Sequence, residues 1–164
     1  MTVLVAAATR HGATGEIAQA IADELRQHGL GVRLQRADQV DDVSTSSAAV
    51  IGSAVYMGKW LPDALKLIDR HALLLTSLPV WLFSSGPLGD PPVPKGGAVD
   101  ASAIIERINA RGHEVFAGKL DNAKLGLTEK LMVRAVRAPE GDFRDWDTIR
   151  SWARTIANDL SASA

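Results

Sequence analysis

The sequence predicts an α/β protein in which helices cover both faces of one parallel β-sheet. Residues 3–8 form an apolar run without polar alternation, which is typical of a strand buried on both faces. A helical pattern follows directly, because Ile17, Ile21 and Leu25 recur at a spacing of four residues. Further pairs of an apolar run and a helical pattern follow along the chain, as in parallel sheets with helical crossovers. We expect one domain over residues 1–164.

The predicted elements alternate in type from the first strand to the last helix. The strands are expected at 2–8, 32–35, 48–53, 78–85 and 114–118. The helices are expected at 15–28, from Pro62 along the stripe Leu61, Leu65, Ile68 and Ala72, at 101–110 and at 146–160. Glycines are expected to end two helices, namely Gly29 and Gly31 for the first and Gly112 for the third.

The connections are predicted from their polar residues and breakers. Residues 38–47 are expected to form a loop with a short helical turn, and residues 86–92 a loop rich in Gly and Pro. Residues 119–141 are less regular, and a short amphipathic helix is expected there from Leu127, Leu131, Val133 and Val136.

Composition excludes several classes of function. The 164 residues are 46% apolar and 23% charged, which fits a soluble globular protein, and the net charge of −1 gives no field that draws nucleic acid. The absence of cysteine excludes disulfides, thiolate metal sites, iron–sulfur clusters and cysteine nucleophiles. No signal peptide pattern and no apolar stretch near the ~20 residues of a membrane span are present, so we expect a cytoplasmic protein. No residue stands out as a metal ligand or as a catalytic acid or base.

The stretch Thr-Arg-His-Gly-Ala-Thr at 9–14 lies between the first strand and the first helix. A helix N-terminus leaves backbone N–H groups unpaired and carries partial positive charge. Thr9 and Thr14 add hydroxyl donors, and Gly12 allows the backbone to bend close to a ligand. These features predict a phosphate site. The alternative is an ordinary turn in which Thr14 caps the helix.

Two further loops follow strands that are expected to end at the same edge of the sheet. Residues 53–60 contain Tyr56 and Trp60, either of which could stack on an aromatic ligand, and Gly58, which permits positive φ. Residues 84–89 offer hydroxyls and backbone donors. Ligands of such sheets bind at the carboxyl ends of the strands, so the three loops are expected to form one site. The alternative is that the two aromatic rings belong to the core or its rim.

The three loops carry a resemblance to a known family. Thr-x-x-Gly-x-Thr at 9–14 resembles the phosphate loop that holds the 5′-phosphate of FMN in flavodoxin-like proteins. With Gly-Ser-Ala-Val-Tyr-Met-Gly at 52–58 and with Asp145 and Trp146, the chain is similar to the flavodoxin-domain family nearly end to end. It is most similar to the branch of menaquinone-dependent protoporphyrinogen oxidases. The resemblance implies a three-layer flavodoxin-like fold whose five-stranded parallel sheet has the order 2-1-3-4-5.

The resemblance also implies an FMN-binding redox protein, either an electron-transfer protein or an FMN-dependent oxidoreductase. Its partner would be a redox protein or a small organic substrate such as a quinone or a porphyrinogen, and the chemistry would be the cofactor's own. The residues implied for the phosphate are Thr9, Arg10, His11, Gly12, Ala13 and Thr14. Those implied for the ring are Ser53, Ala54, Val55, Tyr56, Met57, Gly58 and Trp60. Those implied for the pyrimidine side are Ser85, Gly86 and Leu88.

The chain departs from the oxidase branch at two places. His11 stands where that branch tends to have an acid, and residues 119–137 are shorter than its basic and aromatic insertion and lack aromatics. These departures affect the expected substrates, a porphyrinogen and a quinone, more than the expected flavin cofactor. Because the loops carry Arg10, Lys59 and only Asp90 as an acid, we expect a higher flavin potential than in acidic flavodoxins, suited to two-electron transfer.

Four cations follow the fifth strand, namely Lys124, Lys130, Arg134 and Arg137. We interpret them as a solvated helix face. The alternative is a surface that meets an anionic substrate, a membrane or a redox partner, so that peripheral membrane contact stays open. The oligomeric state is not predicted. The three histidines after His11, namely His28, His71 and His113, are interpreted as surface or capping residues.

Other functions are weighed against the flavin. A flavodoxin-like domain without flavin could act in binding or assembly, and a deazaflavin would use the same phosphate loop. A nicotinamide-binding reductase is suggested by the glycine turn at 12–18 with Arg36 for a 2′-phosphate, although the full three-glycine fingerprint is absent. A phosphate-loop NTPase would need a Gly-Lys-Ser/Thr motif, which the chain lacks. A receiver domain would need acidic residues at positions 6–8, and a tyrosine phosphatase of this fold would need a cysteine.

Overall fold

The computed structural model describes residues 1–86, 101–136 and 139–163 and alternates strands with helices, as expected. Its strands are β1 (Thr2–Ala8), β2 (Gly31–Arg36), β3 (Ala48–Tyr56), β4 (Lys59–Trp60), β5 (Val80–Ser85), β6 (Gly112–Phe116), β7 (Lys119–Leu120) and β8 (Gly141–Asp142). Its helices are α1 (Ala13–Gln27), α2 (Pro62–Thr76), α3 (Ser102–Ile108), α4 (Leu127–Val136) and α5 (Trp146–Ala162). Short 3₁₀ turns occur at Ala37–Gln39 and Asn122–Lys124.

The main sheet has the order β2-β1-β3-β5-β6, and each of these neighbours pairs in parallel. The five parallel strands, numbered among themselves, therefore have the predicted order 2-1-3-4-5. The two-residue strand β4 is an addition that pairs antiparallel with the end of β3. The flavodoxin-like α/β fold is confirmed, and the carboxyl ends of β1, β3 and β5 meet at one edge.

Alternate residues of the central strands supply the cores on the two faces of the sheet. Val3, Val5 and Ala7 of β1 pack in one core with α1 and α5. Leu4, Ala6 and Ala8 pack in the other with α2 and α3. Because both faces are covered, β1 is apolar at nearly every position, and that is why its sequence shows no alternation.

A close contact within the sheet fixes one glycine. A Cβ built on Gly52 would lie 2.1 Å from the Phe83 ring, so this ring occupies the space of the missing side chain. The same ring lies 6.0 Å from the Phe116 ring and 6.2 Å from the Trp152 ring, centroid to centroid. This aromatic cluster connects β5, β6 and α5 beneath the edge where the three loops meet.

The structure corrects three local predictions. Strand β3 continues to Tyr56, beyond the expected end at residue 53. The helix α3 ends at Ile108 and is followed by Asn109 in the left-handed conformation, whereas the helix was expected to extend to residue 110 and to be ended by Gly112. In α2 the buried face contains Ala64 and Leu67, whereas Leu65 is exposed. The backbone of α2 is non-helical at His71, so one helical stripe does not extend along its whole length.

The short helix expected after β6 is present as α4, but its leucines lie on the outside. Leu127 is 80% exposed and Leu131 is 59% exposed, whereas Glu129 is buried. No helix within the described residues has the length and apolar character that crossing a membrane requires.

Candidate functional site

Residues 9–14 connect β1 to α1 through a left-handed glycine. Gly12 has φ +95° and is the residue that precedes the helix. Its N–H donates to Thr9 Oγ1 at 3.0 Å, and its carbonyl accepts from the Glu16 N–H at 3.1 Å. Thr9 therefore stabilises the turn from inside, so its hydroxyl already has a partner.

The same turn keeps several donors open. Among the residues that the structure describes, the amide N–H groups of Arg10, His11, Ala13 and Thr14 make no hydrogen bond. The Thr14 hydroxyl likewise makes none to a described residue, although Thr14 is only 2% exposed. Unpaired amides at a helix N-terminus are suited to an oxyanion such as a phosphate. The loop thus offers a set of open donors to an anion.

Glu129 of α4 binds the two longest side chains of this loop. Arg10 Nε forms an ion pair with Glu129 Oε1 at 2.9 Å, and His11 Nε2 donates to Oε2 at 2.7 Å. The Glu129 side chain is 10% exposed, whereas those of Arg10 and His11 are 45% and 32% exposed. An acidic side chain thus already lies where anions are expected to bind, and the amides of the turn stay open beside it.

Tyr56 lies between this loop and α4. The Arg10 guanidinium stacks over the Tyr56 ring at 4.5 Å from its centroid, and the Tyr56 hydroxyl donates to Met132 Sδ at 3.5 Å. Through Glu129 and Met132, α4 contacts the first loop and Tyr56 together. Glu129 was not predicted as part of the site because it lies 118 residues from His11 in the sequence. The only signal was that Glu129 is the single acid within residues 122–136.

The second loop is a β-hairpin with a two-residue turn. Tyr56 pairs with Lys59, and both turn residues, Met57 and Gly58, have positive φ, at 53° and 74°. Met57 projects into solvent with 75% of its surface exposed. Ser53 is fully buried: its hydroxyl accepts from the Leu61 N–H at 2.9 Å and donates to the Ala54 carbonyl. The Ser53 side chain therefore holds the base of the hairpin.

Trp60 belongs to the core, which corrects one of the two candidates for stacking. Only 5% of Trp60 is exposed, and its Nε1 donates to Ser84 Oγ at 2.7 Å. The ring therefore fills the space between β4 and the sheet. Tyr56 is the remaining aromatic residue of this loop that could stack on a ligand.

His113 completes this buried polar contact and is not the surface residue expected. Ser84 Oγ accepts from Trp60 Nε1, and its O–H is available to donate to His113 Nε2, which lies 2.7 Å away. That arrangement requires an unprotonated Nε2. Burial lowers the pKa of His113 and favours the same neutral form.

The described part of the third loop is closely packed. Ser85 is buried, and the Gly86 N–H donates to the Phe116 carbonyl at 3.2 Å. A Cβ on Gly86 would lie 3.0 Å from Val55 Cβ. The amide of Gly86 is therefore engaged within the fold and is not an open donor for a pyrimidine ring. Leu88 and Asp90 lie outside the described residues.

Arg144 binds the first turn of α1, next to the loop at 9–14, and this contact was not predicted from the sequence. Its side chain is 3% exposed and binds both oxygens of Asp142, at 2.8 and 2.7 Å. It also donates to Glu16 and to the Ala13 carbonyl at 3.2 Å, and it stacks on Trp146. The guanidinium lowers the pKa of Asp142 to about 2. Arg144 thereby fixes the first turn of α1.

No cluster of three His, Cys, Asp or Glu that suits a metal ion occurs in the parts of the chain that the structure describes. Among the described residues of the site, the amides of the first loop and the Thr14 hydroxyl are open, whereas Arg10 is paired with Glu129 and stacks over the Tyr56 ring.

Comparison with known proteins assigns the family. A model of the flavodoxin domain matches residues 4–147. The chain belongs to the flavodoxin domain family. The chain is also similar to the protoporphyrinogen IX dehydrogenase [quinone] of Escherichia coli strain K12. The two are 22% identical over 173 aligned positions, which cover 96% of each chain.

Solved structures show the same fold for this flavodoxin-domain chain. A flavodoxin from the domain Archaea superposes with a TM-score of 0.66 at 16% identity, covering 98% of this chain and 99% of that one. The flavodoxin of Streptococcus pneumoniae TIGR4 gives 0.61 at 20% identity and covers both chains fully. Rubredoxin oxygen:oxidoreductase from Desulfovibrio gigas gives 0.68 at 16% identity over 98% of this chain, which spans only 36% of that longer chain.

Proposed function

We propose that this protein binds FMN at the edge formed by β1, β3 and β5 and acts as an FMN-dependent redox protein. The observation that carries the proposal is the set of unpaired amides at Arg10, His11, Ala13 and Thr14. They lie at the N-terminus of α1, where a phosphate dianion is stabilised by hydrogen bonds and by the helix dipole. The family assignment and the flavodoxin structures support the same cofactor.

Each part of the site has a distinct task in this proposal. The amides and the Thr14 hydroxyl hold the phosphate, and Tyr56 offers its ring to the flavin. The positive φ values of Met57 and Gly58 allow their peptide groups to face a ligand without strain at the glycine. When bound, FMN supplies one- or two-electron redox chemistry. The protein contributes binding, orientation and the charges around the ring.

The proposed reaction is oxidation or reduction of a small organic partner, of which a quinone acceptor and a porphyrinogen donor are the first candidates. The relative in Escherichia coli is named as a protoporphyrinogen IX dehydrogenase [quinone], and its alignment covers 96% of both chains. Reduction of quinones and oxidation of porphyrinogens by the FMN-loaded protein test this level of the proposal. Inactivity with both, while FMN is bound, would direct the search to a protein redox partner.

A test of cofactor identity begins with the purified protein. Small molecules are released by denaturation and identified by mass, which separates FMN from a deazaflavin. Thr14→Val removes the hydroxyl at nearly constant volume and should weaken FMN binding by about tenfold. Thr155→Val, on the exposed side of α5, is the matched control and should bind FMN as the wild type does. Thr14→Asp places a carboxylate against the phosphate and should abolish binding; stoichiometric flavin in this variant would reject the placement.

One observation favours a second candidate, a flavin-free domain that acts in binding or assembly. Glu129 already pairs with Arg10 and hydrogen-bonds His11, and Arg10 covers one face of Tyr56. A protein that is purified without colour and takes up no added FMN would support this candidate over the first.

A further inference from the structure

The helix α4 has two faces of different character. Its inner face carries Glu129 and Met132, which contact the loop at 9–14 and Tyr56. Its outer face carries Leu127 and Leu131, which are 80% and 59% exposed. These leucines are four residues apart and therefore lie side by side along the helix. Packing among the residues that the structure describes does not explain an exposed pair of this kind.

Cations flank the exposed leucines. Lys124, Lys130 and Arg134 are exposed, and none of them forms an ion pair within the described residues. The only acid within residues 122–136 is Glu129, which is buried and is engaged by Arg10 and His11. The outer face of α4 is therefore apolar along its centre and only positive at its side, although the whole chain has a net charge of −1.

We propose that the outer face of α4 docks on the surface of an anionic lipid bilayer. Leucine side chains that enter the boundary between headgroups and acyl chains, beside lysine and arginine at the lipid phosphates, are the pattern of a helix that lies in the membrane plane. Charge argues for a lipid surface over a second copy of this chain, since two such faces would bring six cations together. A helix of ten residues is too short to do more than lie on the bilayer.

Docking through α4 has a consequence for the candidate site. Because the inner face of the same helix covers the loop at 9–14 and Tyr56, the site is held at the membrane surface. An apolar electron acceptor dissolved in the bilayer would then reach it without crossing bulk water. The docking itself goes beyond the proposed function and does not depend on flavin, so it is tested separately from FMN binding.

The test is sedimentation of the full chain with lipid vesicles. Vesicles with about 30% phosphatidylserine are compared with pure phosphatidylcholine at about 0.1 M salt. The wild type should partition onto the anionic vesicles and lose binding as salt increases. Lys124→Gln, Lys130→Gln and Arg134→Gln combined should lower partitioning by about 100-fold, at about fivefold per cation. Leu127→Ser with Leu131→Ser should lower it by about tenfold or more.

The matched control variants remove an exposed leucine or three exposed cations from helices other than α4. Leu73→Ser changes a leucine of α2 that is 92% exposed. Lys66→Gln, Arg70→Gln and Arg150→Gln combined remove three exposed cations from α2 and α5. Both controls should bind anionic vesicles as the wild type does, and circular dichroism should show that every variant is folded.

Several results would overturn the proposal. Equal binding of the wild type to anionic and neutral vesicles, or to neither, would do so. Undiminished binding by the double leucine variant would reject insertion of α4, and loss of binding in the controls would reject its location. Binding to immobilised polyglutamate without binding to vesicles would assign the face to an acidic protein. A dimer that the leucine substitutions dissociate would assign it to a second copy.

Discussion

Removal of the negative charge of Glu129 should strengthen FMN binding while it weakens the flavin-free fold. Glu129 binds Arg10 at 2.9 Å and His11 at 2.7 Å with a side chain that is 10% exposed. A phosphate at the neighbouring amides would face this carboxylate as a second negative charge. Glu129→Gln keeps the shape of the side chain and removes the repulsion, and it also frees Arg10 to approach the phosphate.

The expected magnitude follows from the exposure of the partners. Arg10 and His11 are 45% and 32% exposed, so solvent screens the pair and its value lies between those of a surface and a buried ion pair. We therefore expect Glu129→Gln to make the free energy of FMN binding more favourable by about 1–2 kcal/mol, which corresponds to about five- to thirtyfold tighter binding. The free energy of unfolding without FMN should fall by about 1 kcal/mol.

Flavin fluorescence quenching gives the affinity, and urea denaturation of the flavin-free protein gives the stability. Glu140→Gln is the matched control, because the Glu140 carboxylate binds Asn122 in the same part of the chain and does not contact the loop at 9–14. The control should leave FMN affinity unchanged. Weaker FMN binding by Glu129→Gln would refute the reasoning, since it would mean that Glu129 helps to hold the cofactor.

Stability measurements test the packing and the titrating groups around the site. Gly52→Ala should cost about 1–3 kcal/mol in urea, because its Cβ would lie 2.1 Å from a phenylalanine ring; Gly112→Ala, at 3.6 Å from its nearest neighbour, should be tolerated. Asp142 has its pKa lowered from 3.8 to about 2, so its stabilising contribution is present above pH 3.8 and is lost as the pH falls toward 2. Because the Asp142 side chain is 42% exposed, we expect this contribution to the free energy of unfolding to be about 1 kcal/mol. The Asp142→Asn variant should not show this loss of stability when unfolding is measured over the same pH range. Burial lowers the pKa of His113 below 6.5, so stability should fall as the pH decreases below 6.5, and His113→Gln should remove that step.

The strands could be predicted because each depends on local composition, whereas their order was implied by the resemblance to the flavodoxin-domain family. Residues 3–8 are apolar throughout since both faces of β1 are covered, and this pattern is visible without any knowledge of the partners. The loop at 9–14 was predictable for a similar reason. Its glycine, its hydroxyls and the helix that follows are neighbours in the sequence, and Gly12 has the positive φ that the bend requires.

The rest of the site depends on contacts between distant residues. Trp60 and Tyr56 are both aromatic and four residues apart, yet Trp60 lies in the core, where it packs on apolar residues of distant elements and donates to the Ser84 hydroxyl of another strand. The pattern of α4 likewise predicted a helix but not its orientation. Glu129 on its inner face pairs with Arg10 and His11, residues that are far away in the sequence, whereas Leu127 and Leu131 are exposed. Such a choice has no periodic signal in the sequence.

The most direct test of the central claim compares FMN with riboflavin, which has the same ring and no phosphate. If the amides of the loop at 9–14 hold the phosphate, the wild type should bind one FMN per chain at least about 100-fold more tightly than riboflavin, since several charge-assisted hydrogen bonds are lost with the phosphate. Equal affinities for the two flavins, or no binding of either, would contradict the claim.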